Sequence, residues 1–177
     1  MGIFGKILHV WYDRESGTIT AFDHNLASKD TGIAANLLDG CRAYAKTENS
    51  DIEYLNDLGN GAAHLKGHAK DVTNHLEYAF QLKQVSPASI VSIPFDRNRP
   101  LYTEKMMFAA KGILKINDRV IECDDFSTAI IDDHRGYYPR RMHYDWVSAM
   151  GRYMIAGRMQ YFGFNLTRNQ SIDQRRY

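Results

Sequence analysis

Residues 61–83, GAAHLKGHAKDVTNHLEYAFQLK, decide the fold class. Pairing the two halves around a tight Lys70-Asp71 turn sets Leu65 opposite Leu76 and Ala63 opposite Tyr78. The apolar Ala63, Leu65, Leu76, Tyr78 and Phe80 then share one face, and His64, Lys66, His68, His75, Glu77 and Gln81 share the other. That separation is what a half-buried antiparallel ribbon requires, and a slip of a single residue would destroy it.

Similar patterns recur on both sides. Ile3 to Tyr12, the turn residues Asp13 to Gly17, and Thr18 to Phe22 read as a hairpin. Met106 to Ile116 and Val120 to Cys123 flank Asn117-Asp118, which places Leu114 opposite Ile121. Pro94 makes an edge strand of Ile90 to Phe95, since proline cannot donate to a ladder. Further apolar stretches cover 127–131, 144–150 and 159–166. Between Ser28 and Gly40, Asp30 or Thr31 is placed to cap a short helix, with a loop carrying one helical turn as the alternative. Short strands at hairpin spacing, without a long 3.6-residue periodicity, give an all-β, antiparallel barrel or sandwich. One β domain over residues 1–177 is the expectation, since a chain of this length buries a self-sufficient core.

Composition narrows the function classes. The chain is 44% hydrophobic and 24% charged, as packed proteins are, and 22 basic against 21 acidic residues leave no field that favours nucleic acid. Cys41 and Cys123 form no motif, and no apolar run reaches a membrane span, so a cytoplasmic protein without stable membrane insertion is expected. Asn165-Leu166-Thr167 fits a glycosylation acceptor, which matters only in a secreted protein.

Chemistry concentrates between Asp132 and Trp146, where three carboxylates, two imidazoles, three guanidinium groups and four aromatic rings occupy fifteen positions. Gly136 and Pro139 argue against a continuous strand from Asp133 to Arg141, so these groups are expected on a loop between strands. Asp132, Asp133 or Asp145, walled by Tyr138 or Trp146, would suit general acid chemistry; pairing with Arg135, Arg140 and Arg141 is the plainer role. His134 and His143 lack a metal-ligand spacing, and no metal or other cofactor is expected. Tyr137, Tyr138, Tyr144 and Trp146 with Arg140 and Arg141 would also make a stacking platform for single strands, but the balanced charge counts against nucleic acid.

The run Asp132-Asp133-His134-Arg135-Gly136-Tyr137-Tyr138-Pro139, then 144–151 (YDWVSAMG) and 163–167 (GFNLT), resembles the signature of a bacterial family catalogued as domain-of-unknown-function family 2804. Asp132, Arg135, Gly136, Pro139, Trp146, Gly151, Asn165 and Leu166 carry the resemblance, while Tyr138 and Tyr144 stand where many members have Trp. Members are longer at both ends, so the resemblance implies a trimmed core or a short member, whose exposed sheet edge would invite a second copy. The family is similar to lipocalin-like proteins, among them carotenoid hydratases and tocopherol cyclases. That kinship implies a calycin-type barrel, complete or partial, around an apolar cavity, with no activity attached to the fold. Two functions follow as expectations. One is a module binding a small apolar ligand, lipid or isoprenoid-like, through Arg135, Tyr138, Tyr144, Trp146 and Asn165. The other is an acid-catalysed hydratase or cyclase with Asp132 or Asp145 as the acid and aromatic faces steadying a cation.

Overall fold

The computed structural model describes residues 4–33, 41–57, 60–94, 100–136 and 144–169. Apart from 3-10 structure at Ser28–Asp30 and at Asn60, all regular structure among them is β-strand, and every pairing described is antiparallel. The expected all-β antiparallel class therefore holds. The thirteen strands are β1 (Phe4–Asp13), β2 (Thr18–Ala27), β3 (Thr31–Ile33), β4 (Cys41–Lys46), β5 (Ser50–Asp57), β6 (Ala62–Lys70), β7 (His75–Gln84), β8 (Ser89–Pro94), β9 (Pro100–Ile116), β10 (Arg119–Glu122), β11 (Thr128–Gly136), β12 (Tyr144–Ile155) and β13 (Arg158–Asn169). They fall into two compact units, Met1–Lys83 with Ala110–Asp124 and Gln84–Ala109 with Asp125–Tyr177.

In the first unit the path β10-β9-β7-β6-β5-β4-β3 stays open between β10 and β3 among the described residues, as a partial barrel does. The β1-β2 hairpin packs one face on this sheet. Phe22 joins Ala69, Leu76, Tyr78 and Ile116 in one buried cluster, and Ile7 and Leu26 meet Ala45 in another. At the hairpin tip, the Asp13 carboxylate accepts hydrogen bonds from the Glu15 amide and the Ser16 hydroxyl, while Gly17 takes the left-handed conformation at φ 68°.

The β6-β7 ribbon confirms the facing but corrects the register. Leu65 lies opposite Phe80 and Ala63 opposite Leu82, four residues from the expected pairing. The connection is a four-residue turn, because the Asp71 carboxylate accepts from the Thr73 and Asn74 amides and so closes residues 71–74 on themselves. An even shift preserves parity. Ala63, Leu76, Tyr78 and Leu82 are accordingly buried, while His64, Lys66, His75 and Glu77 remain exposed. Leu114 does lie opposite Ile121. Strand β8 pairs only β9 among the described strands, as an edge strand ending in proline should. The expected helix start after Asp30 is corrected: Thr31–Ile33 is extended because it pairs with Ala43 to Ala45, and residues 34–40 lie outside the described set.

A polar chain crosses the core of this unit. The Tyr78 hydroxyl lies 3.3 Å from Nδ1 of His9, whose Nε2 lies 3.0 Å from the Ser50 hydroxyl. All three residues are buried. A neutral imidazole, with one donor and one acceptor, satisfies both neighbours. Burial, then repulsion from His24, lowers the His9 pKa below its ordinary 6.5. The unfolded chain thus takes up this proton first as pH falls. Stability should decline from about pH 6.5 downward until the folded value is passed, and remain level above it with respect to this group. Urea unfolding at pH 7.5 and pH 5 should show a larger loss for the native chain than for His9→Gln; equal losses would place the titration elsewhere.

Candidate functional site

The strip that drew attention in the sequence is not a loop at its start. Asp132 to Gly136 continue β11 because they pair with Leu101 to Lys105 of β9, with Asp132 opposite Lys105 and His134 opposite Thr103. Gly136 makes this continuation feasible: at φ 154° it accepts a conformation side chains rarely adopt, and a Cβ there would collide with the Pro100 carbonyl. In sequence this glycine reads as a strand breaker, whereas in the fold it allows two backbones to approach closely. Residues 137–143, including Tyr138, lie outside the described set.

The two-residue period puts Thr103, Lys105, Asp132 and His134 on one face, in the second unit. Lys105 Nζ donates to Asp132 Oδ1 at 2.8 Å and to the Thr103 hydroxyl at 3.3 Å. His134 Nε2 lies 2.5 Å from the same Asp132 oxygen. Only 7% of the Lys105 side-chain surface is exposed, against 25% for Asp132 and 41% for His134. Burial by itself would raise the Asp132 pKa. Hydrogen bonds from Lys105 and His134, with the charge beside them, outweigh that and hold the carboxyl below its ordinary value. Asp132, which also accepts from the Thr103 hydroxyl at 3.4 Å, is thus an ionised, triply engaged acceptor near neutral pH.

Strands β12 and β13 form a hairpin through Ala156-Gly157, both at positive φ, 49° and 73°. One face of this ladder carries Trp146 and Asn165, and Gly163 on that face rests against the Met107 side chain of β9. The Trp146 indole N–H donates to Asn165 Oδ1 at 2.5 Å, which fixes the ring plane. That ring lies 5.7 Å from Lys105 Nζ, a cation-π contact, and half of the residue is open to solvent. Trp146, Asn165, Lys105, Asp132, His134 and Thr103 therefore form one constellation.

Other expected site residues fall elsewhere. Asp145 projects from the opposite face of the β12-β13 ladder, 84% exposed, with Arg168 4.0 Å away. Arg135 stands opposite Tyr102 and Tyr144 opposite Asn169, and their side chains lie outside the described set. Lys105 and Thr103 were missed because the sequence pattern started this strand at Met106. The available signal was the opposite charge of Lys105 and Asp132, which becomes visible only with the pairing that sets them across from each other. On the first unit, a groove of about 610 Å³ touches Asp51, Glu53, Lys66 and His68. There Lys66 pairs with Glu53 and His68 with Asp51, at 2.9 and 3.0 Å, as on a solvated sheet face. Among the described residues, no cluster of three or more His, Cys, Asp or Glu is placed to hold a metal, and no helix is long and apolar enough to cross a membrane.

The model of the family described as Domain of unknown function (DUF2804) matches residues 1–174. The chain belongs to that family. No curated protein and no solved structure gives a match. Within this DUF2804 chain, Asp132, Trp146 and Asn165 meet at a single constellation, although they are separated by up to 33 positions in sequence.

Proposed function

We propose that this DUF2804 domain binds a small apolar ligand, lipid or isoprenoid-like, with Trp146 as the ring against which the ligand packs. The observation that carries the reading is the state of Trp146: half exposed, yet locked in orientation by Asn165 and backed by the Lys105 ammonium. A rigid, partly bare indole offers a large contact area at little entropic cost. The Lys105–Asp132–His134 cluster beside it supplies a polar anchor for whatever hydroxyl or carbonyl the ligand carries. Arg135, Tyr138 and Tyr144 belong to the same proposal, as do the calycin kinship, a bacterial source and the cytoplasmic location; all of these rest on sequence.

The hydratase or cyclase alternative has less behind it. Protonating an alkene requires an undissociated acid in a dry pocket. Asp132 is held ionised and Asp145 is almost fully solvated.

Trp11 and Trp146 are the two tryptophans, so Trp11→Phe leaves Trp146 as the sole indole reporter. Titration of that variant with long-chain fatty acids, their alcohols and isoprenoid alcohols should give a saturable change in emission. Trp146→Ala should weaken binding of a fluorescent fatty-acid probe by about tenfold or more, as the loss of an aromatic anchor does. A flat titration across the whole panel would overturn the reading.

A further inference from the structure

The β12-β13 ladder has a second face, which no described element covers. Val147, Tyr153, Ile155, Phe162, Phe164 and Leu166 lie on it, each between 42% and 61% exposed. Six large side chains half open to solvent leave about 600 Å² of apolar surface, at the upper end of what a monomer ordinarily exposes. Trp146 and Asn165 lie on the opposite face, so this surface is separate from the ligand site proposed above.

We infer that this face is a homodimer interface, on which a second copy of the chain stacks through the same hairpin. Three features favour a second copy over other occupants. The first is relief. Ala149 keeps the β12 side low opposite Phe164 on β13, while Gly151 is already covered by the Phe162 ring of the same chain, with Tyr153 6.0 Å away. Turning one copy about a two-fold axis parallel to the strands puts each Phe164 over the other copy's Ala149, high on low. A two-fold axis across the strands would set high on high. The second feature is charge. Asp145 and Arg168 face each other across the ladder at the open end, 4.0 Å apart and 84% and 59% exposed. The same axis brings Asp145 of each copy over Arg168 of the other, giving two equivalent charge pairs at the rim. The third is area. Two such faces together bury about 1,200 Å², which passes the roughly 1,000 Å² expected of a specific interface. Stacked with the strands aligned, the two hairpins form the two-layer sandwich that neither makes alone.

Sedimentation of the full chain across the micromolar range tests this, with circular dichroism to verify that each variant is folded. The native chain should run as a dimer at twice the chain mass, and Phe164→Glu as a monomer. Asp145→Arg and Arg168→Asp should each shift the monomer–dimer midpoint more than tenfold to higher concentration, because each sets like charges opposite one another. The double reversal should bring the midpoint back to within a few-fold of the native one. A native chain that stays monomeric at its highest soluble concentration overturns the inference. So does a dimer indifferent to these substitutions, or a monomer that floats with phosphatidylcholine vesicles, which would make the face a lipid contact.

Discussion

Asp132→Ala should cost about 3 kcal/mol of folding stability, near the lower limit for breaking a buried ion pair, since Asp132 keeps some contact with water. The loss comes from what is left behind. Lys105, with 7% of its side chain exposed, would retain the Thr103 hydroxyl at 3.3 Å, the imidazole of His134 at 3.5 Å and the Trp146 ring face at 5.7 Å, but would lose its carboxylate partner. Removing the cation instead should be milder. Lys105→Met leaves a carboxylate that still has His134 and solvent, and the methionine fills the apolar stem's place, for a cost of about 1 kcal/mol. Replacing both partners with apolar residues, Lys105→Met with Asp132→Leu, should recover most of the loss. Urea denaturation of the four proteins reads out this order. Equal costs for the two single substitutions would mean that Lys105 is not a buried charge. The sign of the pH dependence follows from the lowered Asp132 pKa: its contribution is complete above the ordinary 3.8 and disappears as pH falls through the folded value. Asp132→Asn should lack that acid-side decline.

A larger loss is expected at Gly112, inside β9. Its φ of 142° is one that side chains rarely adopt, and a Cβ built there would collide with the Ala79 carbonyl of β7 and crowd the Phe80 backbone. Neither obstacle can move without opening the β7-β9 ladder, on which the first unit's core depends. Gly112→Val should therefore cost more than about 3 kcal/mol, combining backbone strain with a backbone clash, and lower the soluble yield. Gly157→Ala makes the contrast. That turn residue also has positive φ, at 73°, but has open space around its Cβ position, so only the conformational cost of about 1 kcal/mol applies. Thermal unfolding of the two variants separates close approach from backbone preference. Similar melting shifts would show that the Ala79 contact is soft.

Strand alternation is a local property, and so were the readings that held. Each side chain's face follows from counting by two, which is why Ala63, Leu76 and Tyr78 face inward whether the turn is placed at Lys70-Asp71 or over residues 71–74. Asn117-Asp118 fixed the Leu114–Ile121 pairing because a two-residue turn leaves no slack. The Asp132 to Trp146 signature indicated the family, which the match over residues 1–174 bears out. Register at the β6-β7 turn was not legible, since it depends on a single carboxylate, Asp71, that turns back on two amides. The dense strip also misled in one respect: its three aspartates look alike in sequence, yet they meet different environments.

Local patterns along the chain were therefore enough for the class of fold, the facing of the strands and the family. The company each charge keeps emerges only once the strands are paired. Asp132 becomes a held carboxylate because Lys105, twenty-seven positions earlier, is buried directly opposite it, while Asp145 stays in water on the reverse of a hairpin. Trp146 becomes a backed, half-open ring because Asn165 returns to it along β13. The physical reason is that facing follows from neighbours along the chain, whereas burial, ion pairing and pKa depend on distances between strands, which no local pattern records.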